Sequence, residues 1–144
     1  METINQLSIF LENKKGRLNT SLKLLSQENV NIRALLLADT SEFGILRLVV
    51  DKPEEGKKIL EDGGFTVKYT PIIGVELEDQ PGGLSKILNI LEENNINLDY
   101  LYAFTHEKTD NAILFLYAED LENLNKTLTE NNIRIVSKDE IYNL

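Results

Sequence analysis

The sequence predicts an α+β protein made of two tandem copies of one β-α-β-β-α-β unit. Shifting the chain by 66 residues aligns residues 11–35 with residues 77–101 and gives nine identical pairs. Both copies combine alternating apolar residues, which predict strands, with apolar residues at helical spacing, which predict helices. Two long copies indicate duplicated domains, because a solenoid needs at least three short repeats. The identical pairs are Leu11/Leu77, Glu12/Glu78, Gly16/Gly82, Leu18/Leu84, Leu22/Leu88, Leu25/Leu91, Asn29/Asn95, Asn31/Asn97 and Leu35/Leu101.

The predicted elements follow the same order in both copies. The first copy has strands at 7–11, 31–39, 45–50 and 65–69 and helices at 17–28 and 53–63. The second copy has strands at 73–77, 97–105, 112–117 and 133–136 and helices at 83–94 and 121–131. This order is that of the ferredoxin-like fold, an antiparallel sheet with helices on one face. We assign residues 1–70 to the first domain and 71–144 to the second, and expect Pro71 to interrupt strand hydrogen bonding.

The second and third strands of each copy are apolar on both faces. Residues 32–38 and 45–50 are mostly aliphatic, and Tyr100, Tyr102 and Phe104 alternate with other apolar residues. Packing the helices on one face would leave a large apolar patch on the other. We therefore expect a sheet face or edge to be buried against the other copy or a second chain, and we predict a homodimer. An error in the assumed strand register is the alternative.

The last eight residues carry a capping box. Ser137 and Glu140 have the spacing at which a hydroxyl and a carboxylate cap the start of a helix reciprocally. We expect one helical turn there, docked by Ile141 and Tyr142.

Composition excludes several classes of function. The net charge is −9 and the isoelectric point about 4.6, so the surface repels nucleic acids and anionic membranes. No apolar run approaches the length of a membrane-spanning helix. The N-terminus has an acid at position 2 and no basic region, which is unlike a secretory signal. We expect a cytoplasmic protein that binds neither nucleic acid nor membrane.

Residues 79–84, "DQPGGL", connect a predicted strand to a predicted helix. A helix N-terminus offers free N–H groups and partial positive charge, so it can bind a carboxylate. Gly82 and Gly83 would let a ligand approach the backbone. Asp79 could cap the helix or accept hydrogen bonds from a ligand ammonium. A simple tight turn is the alternative. Neither common phosphate-loop motif is present, so we expect no nucleotide and no cofactor.

The stretch from Val75 to Phe104 resembles the first half of an ACT domain, a regulatory module that binds amino acids. The family pattern is an Asp or Asn, then Pro-Gly-x-Leu entering the helix, and an Asn-Ile-like step opening the second strand. The second copy matches it at Asp79, Pro81, Gly82, Leu84, Asn97 and Leu98. The first copy matches it at Asn13, Gly16, Leu18, Asn31 and Ile32, with Lys15 in place of the proline.

This resemblance implies a ligand site at an interface between two ACT units, against the loop between the first strand and the first helix. In family members that bind serine, an Asn of this loop and the Asn opening the second strand contact the ligand. Asp79 departs from that subgroup, so serine is not implied. Lys14, Lys15 and Arg17 could hold a carboxylate, although ordinary surface basicity explains them equally. The candidate ligand-binding residues are Asn13, Lys15, Gly16, Arg17, Leu18, Asn31, Asp79, Gln80, Gly82, Gly83, Leu84 and Asn97.

An enzyme finds little support in the residues. The chain has no cysteine and one histidine, His106. A metal site would need this histidine with Glu107 and Asp110, which also suit a solvated hairpin loop. We expect no metal and no catalysis, and a small enzyme whose activity depends on His106 is the remote alternative.

The sequence therefore predicts a non-enzymatic regulatory protein that binds a small amino acid or related zwitterion. The resemblance implies that such stand-alone copies act on a partner enzyme in trans. An interaction module whose loops have lost ligand binding is the alternative.

Overall fold

The computed structural model describes residues 1–12, 14–38, 43–105 and 110–144. They form two compact units. The first unit consists of Asn5–Thr70 and Ile141–Leu144, and the second of Met1–Ile4 and Pro71–Glu140. The elements are β1 (Ile4–Glu12), α1 (Arg17–Gln27), β2 (Ile32–Ala38), β3 (Phe43–Val50), α2 (Pro53–Asp62), β4 (Thr66–Glu78), α3 (Gly83–Glu93), β5 (Tyr100–Thr105), β6 (Asn111–Tyr117), α4 (Leu121–Glu130) and α5 (Lys138–Tyr142).

The first unit has the strand order β2-β3-β1, followed by the Thr66–Thr70 part of β4. β1 and β3 are antiparallel, with Leu7 opposite Leu48 and Ile9 opposite Leu46. These four side chains belong to a core that also contains Leu25 of α1 and Leu60 of α2. The alternation of strand side chains and the helical spacing of the leucines direct all of them to one side of the sheet.

The second unit repeats this arrangement. Its strand order is β5-β6-β4, and residues 134–136 lie on the other side of β4. There Glu76 N donates to the Arg134 carbonyl oxygen at 3.0 Å, and Val136 N donates to the Gly74 carbonyl oxygen at 2.9 Å. The fourth strand predicted at 133–136 is thus reduced to a single antiparallel bridge between Val75 and Ile135. The core consists of Ile73, Val75, Ile87, Leu91, Leu114, Leu116, Ala118, Leu124 and Leu128.

The predicted fold class is confirmed, since both units have antiparallel sheets with the β-α-β-β-α-β order, although the last strand of the second unit is reduced to a bridge. β4 continues through Pro71, so the proline does not end the strand, and the expected local loss of strand hydrogen bonding stays a prediction. Proline removes only one backbone donor, and its fixed φ is compatible with an extended chain. Each unit also includes a terminal segment from the other half of the sequence. The assignment of 1–70 and 71–144 as domains stays a prediction.

Candidate functional site

The turn between β4 and α3 is closed by two backbone hydrogen bonds. Gln80 N donates to the Glu78 carbonyl oxygen at 2.9 Å, and Gly83 N donates to the Gln80 carbonyl oxygen at 3.0 Å. Gly82 is the N-cap of α3 and has φ 86°. This left-handed conformation strains any residue with a Cβ atom, which explains glycine at this position.

The turn between β1 and α1 has the same two backbone hydrogen bonds and the same N-cap conformation. Lys14 N donates to the Glu12 carbonyl oxygen at 2.7 Å, and Arg17 N donates to the Lys14 carbonyl oxygen at 3.2 Å. Gly16 is the N-cap of α1 with φ 89°. Lys15 therefore replaces Pro81 without altering the turn. Asn13 lies outside the described residues.

Neither helix is capped by a side chain at its N-terminus. Asp79 therefore does not cap α3, which leaves open only the second role considered for it, contact with a ligand ammonium. The N–H groups of Leu84 and Ser85 have no acceptor among the described residues. Two unsatisfied donors and the partial positive charge of the helix end remain available for an anionic group.

The two turns differ at the residue after the N-cap. A Cβ atom on Gly83 would lie 2.1 Å from the Glu78 carbonyl oxygen. The first unit has Arg17 at this position, and its guanidinium carbon lies 4.2 Å from the centroid of the Phe65 ring. The Arg17 Nε atom is buried and has no hydrogen-bond partner in the described part of the chain. Stacking on the aromatic face thus holds this side chain in place.

The other basic residues of the first turn lie at the surface. Lys14 Nζ is 2.9 Å from Glu12 Oε2, and this hydrogen bond is the main reason why the pKa of Glu12 lies below its ordinary value. The charge of Arg17 lowers the Glu12 pKa further, as a smaller effect. Lys15 is exposed.

The second unit has a pocket of about 200 Å³ beside Gly83. It lies between the end of β4, the first turn of α3 and the chain that follows α4. Its lining residues are Glu76, Leu77, Glu78, Gly83, Lys86, Ile87, Asn111, Asn132, Ile133 and Arg134.

Glu76 and Arg134 line this pocket and form an ion pair with each other. Asn111 Nδ2 donates to Glu76 Oε1 at 3.2 Å, and Arg134 Nη1 donates to Glu76 Oε2 at 3.3 Å. Arg134 also donates to Glu140, and this hydrogen bond is the main cause that raises the Arg134 pKa. The backbone N–H of Ser137, followed by Arg134, lowers the pKa of Glu140. The carboxylates of Glu76 and Glu140 therefore both already accept a hydrogen bond from Arg134.

Glu78 and Lys86 form no ion pair among the described residues. Glu78 accepts a hydrogen bond from the Gln80 side-chain amide, and the described residues place no cation within 4 Å of it. Lys86 is exposed and likewise has no carboxylate within 4 Å in the described ranges. Among the described residues, Glu78 and Lys86 thus line the pocket without an ion-pair partner.

Comparison with known families decides the identity of the fold. The family described as an ACT domain pair matches residues 2–144 of the sequence. The chain belongs to the ACT domain pair family. This confirms the tandem ACT domains that the turn motifs predicted.

Solved structures resemble this ACT domain pair along its length. Protein BT0572 from Bacteroides thetaiotaomicron has 33% sequence identity, covers 99% of this chain and 98% of its own, and superposes with a TM-score of 0.91. The ligand-free regulatory subunit of aspartate kinase from Thermus thermophilus has 13% identity, covers 90% and 91%, and has a TM-score of 0.60. At that identity the similarity shows the fold alone. No curated protein matches the sequence.

In the first unit of this ACT domain pair, the candidate ligand-binding residues lie at opposite ends of α1. Gly16, Arg17 and Leu18 lie at the start of α1, whereas Asn31 follows its end. A helix of 11 residues is about 16 Å long. Asn31 N donates to Asp51 Oδ1 at 2.9 Å. One small ligand cannot contact both groups within one unit.

The same separation holds in the second unit. Asp79, Gln80, Gly82, Gly83 and Leu84 surround the N-terminus of α3. Asn97 lines a groove of about 500 Å³ beside the C-terminal end of that helix. One small ligand therefore cannot contact both groups within the second unit either.

The sequence did not identify most of the residues that line the pocket. Glu76, Lys86, Asn111 and Arg134 belong to four different segments, and no short motif joins them. One signal was available in the repeat, because the alignment places Gly83 opposite Arg17.

The candidate metal ligands of the sequence lie mostly outside the described residues. No group of three His, Cys, Asp or Glu side chains that could hold a metal lies within the described residues, and His106 and Glu107 are outside them. In the same ranges, no helix is long and apolar enough to cross a bilayer.

Proposed function

We propose that this ACT domain pair is a non-enzymatic sensor that binds a small amino acid or a related zwitterion at its strand-to-helix turns. The observation that carries the proposal is the uncapped N-terminus of α3 beside an unpaired carboxylate and an unpaired ammonium. Free N–H groups and Lys86 suit a ligand carboxylate, and Glu78 and Asp79 suit a ligand ammonium.

The proposed ligand-contacting residues lie on both turns and at the start of the second strand of each copy. An amino acid that touches both kinds of residue would bind where two ACT units meet. The set comprises Asn13, Lys15, Gly16, Arg17, Leu18, Asn31, Asp79, Gln80, Gly82, Gly83, Leu84 and Asn97.

A thermal-shift screen over the twenty amino acids and related acids tests this function. A ligand that binds only the native state raises stability by about 2.7 kcal/mol at one hundred times its Kd. At least one amino acid at millimolar concentration should therefore raise the melting temperature. The absence of any shift, with no heat of binding in calorimetry, would contradict the proposal.

Once the screen identifies a ligand, Asp79→Ala is the first protein variant whose binding should be measured. Asp79 is exposed and makes no hydrogen bond or ion pair among the described residues, so its removal should leave the fold intact. We expect weaker binding with an unchanged melting temperature in the absence of ligand. Undiminished binding would place the ammonium contact elsewhere.

A second candidate function is a protein–protein interaction module that regulates a metabolic enzyme in trans without a ligand. Arg17 on Phe65 favours it, because this side chain occupies the first turn. Co-purification of an enzyme from cells of the source organism, in a complex that no amino acid changes, would support this function. A complex that responds to one amino acid would support the sensor instead.

We further propose that the protein acts in the cytoplasm as a homodimer. The dimer is suggested by four large apolar side chains that are exposed among the described residues of the first unit. These are Phe10, Leu35, Leu37 and Phe43.

A further inference from the structure

A surface groove of about 530 Å³ lies between α1 and α2 of the first unit. Leu24 and Ile59 line it with apolar side chains that are half-buried and also pack against the core. Exposed charged side chains line it as well, and three of the four are carboxylates. They are Glu28, Glu55, Asp62 and Lys58. The groove thus combines an apolar floor with a mostly acidic rim.

The rim carries negative charge that the described residues do not neutralise. None of its three carboxylates lies within 4 Å of a cation in these ranges, and three acids with one lysine leave a net charge of −2. Asp62 is the last residue of α2 and Glu28 is the C-cap of α1, and neither helix has a basic residue in its last turn. A helix C-terminus is already partly negative, so acids there are unfavourable without a cationic partner.

The duplication shows that the fold does not require this combination of residues. The second unit has the same pair of helices, α3 and α4. It has neutral polar residues in place of two of the carboxylates and of the apolar Ile59. They are Asn94, Asn123 and Thr127, which the shifts of 66 and 68 residues align with Glu28, Glu55 and Ile59. The acidic rim and the apolar floor therefore belong to the first unit alone.

The groove suits a helix better than an extended segment. Its backbone donors are already used, since Gly63 N donates to the Ile59 carbonyl oxygen at 3.1 Å and Gly64 N to the Glu61 carbonyl oxygen at 3.0 Å. An extended segment binds through backbone pairing at a sheet edge, whereas an amphipathic helix binds through its side chains. The stretch of α2 from Glu55 to its C-cap is about 12 Å long, which corresponds to about two turns of a docked helix.

Other occupants fit the groove less well. A second copy of this chain also carries an excess of acids, because the net charge is −9, and two such grooves facing each other would oppose like charges. A metal ion needs several ligating side chains close together, and no such group lies in the described ranges.

We propose that this groove is the docking site for a basic amphipathic helix of a partner protein. Aliphatic side chains of that helix pack on Leu24 and Ile59, and its lysines or arginines pair with the three carboxylates of the rim. The inference goes beyond the proposed amino-acid binding and does not depend on it, because no residue of the groove belongs to the proposed ligand-contacting set. It adds a surface through which the protein acts on a partner.

Two synthetic peptides of about 15 residues, long enough to form a helix, test the proposal with the full chain. Both carry leucines at helical spacing, and the residues that flank the leucines are lysines in one peptide and glutamates in the other. Fluorescence anisotropy should show binding of the lysine peptide, weakened by added salt, and binding at least about tenfold weaker for the glutamate peptide. No binding of the lysine peptide, or equal binding of both, would overturn the proposal.

A pair of substitutions and a matched control then locate the contact. Glu28→Gln combined with Glu55→Gln should weaken binding of the lysine peptide about tenfold, because two of the three carboxylates are removed. Glu93→Gln combined with Glu122→Gln changes the net charge equally at exposed positions of α3 and α4, and it should leave the Kd unchanged. Equal weakening by both pairs would indicate diffuse attraction to an acidic surface and would overturn the proposal.

NMR of the unsubstituted chain provides a second reading of the contact. Addition of the lysine peptide should shift amide signals of residues 24–28 and 55–63, with little change in α3 and α4. Ile59→Asn leaves the charge unchanged and should weaken binding, and circular dichroism checks its fold because Ile59 also packs against the core. Shifts concentrated outside the two stretches would place the peptide elsewhere and overturn the docking site.

Discussion

At the residue scale, two adjacent glycines of one turn have different physical reasons to be glycine. Gly82 has φ 86°, and a Cβ atom placed on it would meet nothing within 4 Å. Gly83 lacks the positive φ, but its Cβ atom would lie 2.1 Å from the Glu78 carbonyl oxygen. The first requirement concerns backbone conformation, and the second concerns close approach of two backbone segments.

Gly83→Ala should therefore destabilise the protein more than Gly82→Ala does. An alanine at Gly82 adopts the left-handed region at a cost of about 1–2 kcal/mol. An alanine at Gly83 forces the backbone of the turn apart, and overpacking of this kind costs about 1–3 kcal/mol or more. Urea denaturation of both variants measures the two losses. An equal or smaller loss for Gly83→Ala would show that the turn relaxes freely.

The first unit provides the control for this comparison. Gly16 has φ 89° and open space around it, so Gly16→Ala should resemble Gly82→Ala. Arg17 already carries a Cβ atom at the position of Gly83, so Arg17→Ala should show no backbone clash. A loss for Arg17→Ala as large as that for Gly83→Ala would point to a cause other than the close approach.

The sequence could predict the turns but not the pocket. Gly16 and Gly82 recur at the 66-residue spacing, and both are N-caps in the structure. The sequence predicts Arg17 as a charge near a ligand, which stays a prediction, and the structure adds that its guanidinium stacks on Phe65. That contact joins residues 48 positions apart in the chain (65 − 17), and only the folded arrangement of strand and helix shows it.

At the element scale, the helices of both units end in the same way. The residue after the C-cap of α1, α3 and α4 is an asparagine with φ between 56° and 59°, and α2 has Gly64 with φ 91°. The N–H of the next residue then donates five positions back, as from Val30 to Leu25 at 3.0 Å. This is the 6→1 bond of a Schellman motif.

The αL conformation predicts opposite effects of two substitutions at Asn29. Asn29→Gly should be neutral or slightly stabilising, because glycine adopts φ 59° without steric cost. Asn29→Ala should lose about 1 kcal/mol, because alanine lacks the local hydrogen bonding that favours asparagine there. The urea midpoints of the two variants measure the difference. Equal midpoints would mean that the helix end tolerates another conformation.

The capping box before α5 is confirmed in both directions. Ser137 N donates to Glu140 Oε2 at 2.7 Å, and Glu140 N donates to Ser137 Oγ at 3.1 Å. Within the first unit, Arg33 Nε donates to the Ile141 carbonyl oxygen at 3.2 Å and Arg33 Nη2 to the Tyr142 carbonyl oxygen at 3.1 Å. The sequence could predict the cap because its two residues are three apart, whereas the arginine contacts span more than one hundred residues.

Acid should weaken this cap. The pKa of Glu140 lies below its ordinary value of 4.5, mainly because of the Ser137 backbone N–H and then Arg134. A lowered folded-state pKa contributes stability above the ordinary value, and this contribution is lost as the pH falls below 4.5 through the folded-state pKa. The protection of the Ser137 amide, which is its exchange rate compared with that of an unfolded chain at the same pH, should therefore decrease below that pH. In Ser137→Ala, the Glu140 amide should exchange faster already at neutral pH, and exchange unaffected by either change would contradict the cap.

At the scale of the whole molecule, duplication made the fold predictable. Each copy supports the assignment of the other, so ambiguous stretches such as 31–39 and 97–105 could be assigned together. The prediction of strand at 97–99 was still wrong, since β5 begins at Tyr100. Residues beyond the end of the preceding helix must turn before they pair, and hydrophobic patterning does not reveal where pairing starts.

Apolar side chains on the sheet face opposite the helices are buried to different extents in the two units. In the second unit, Tyr102 is buried and its ring lies 5.3 Å from that of Phe115, and the Tyr100 and Tyr117 rings stack at 5.0 Å. In the first unit, Phe43 lies on this face and is 51% exposed, whereas Leu35 lies opposite the core residue Leu48, on the helix side of the edge strand, and is 50% exposed. β2 lies at the end of the strand order, and an exposed apolar edge strand favours pairing with another chain.

Light scattering at micromolar concentration should therefore give a mass near twice the 16.4 kDa of one chain. Leu35→Lys combined with Leu37→Lys should lower the mass to that of one chain, because two charges would have to be buried in the contact. Asn123→Lys serves as the control, since Asn123 is an exposed residue of α4 outside the proposed ligand-contacting set, and it should leave the dimer intact. Circular dichroism checks that each variant is folded. A wild-type mass near 16.4 kDa would exclude the homodimer, and a dimer that survives both lysines would place its interface away from β2.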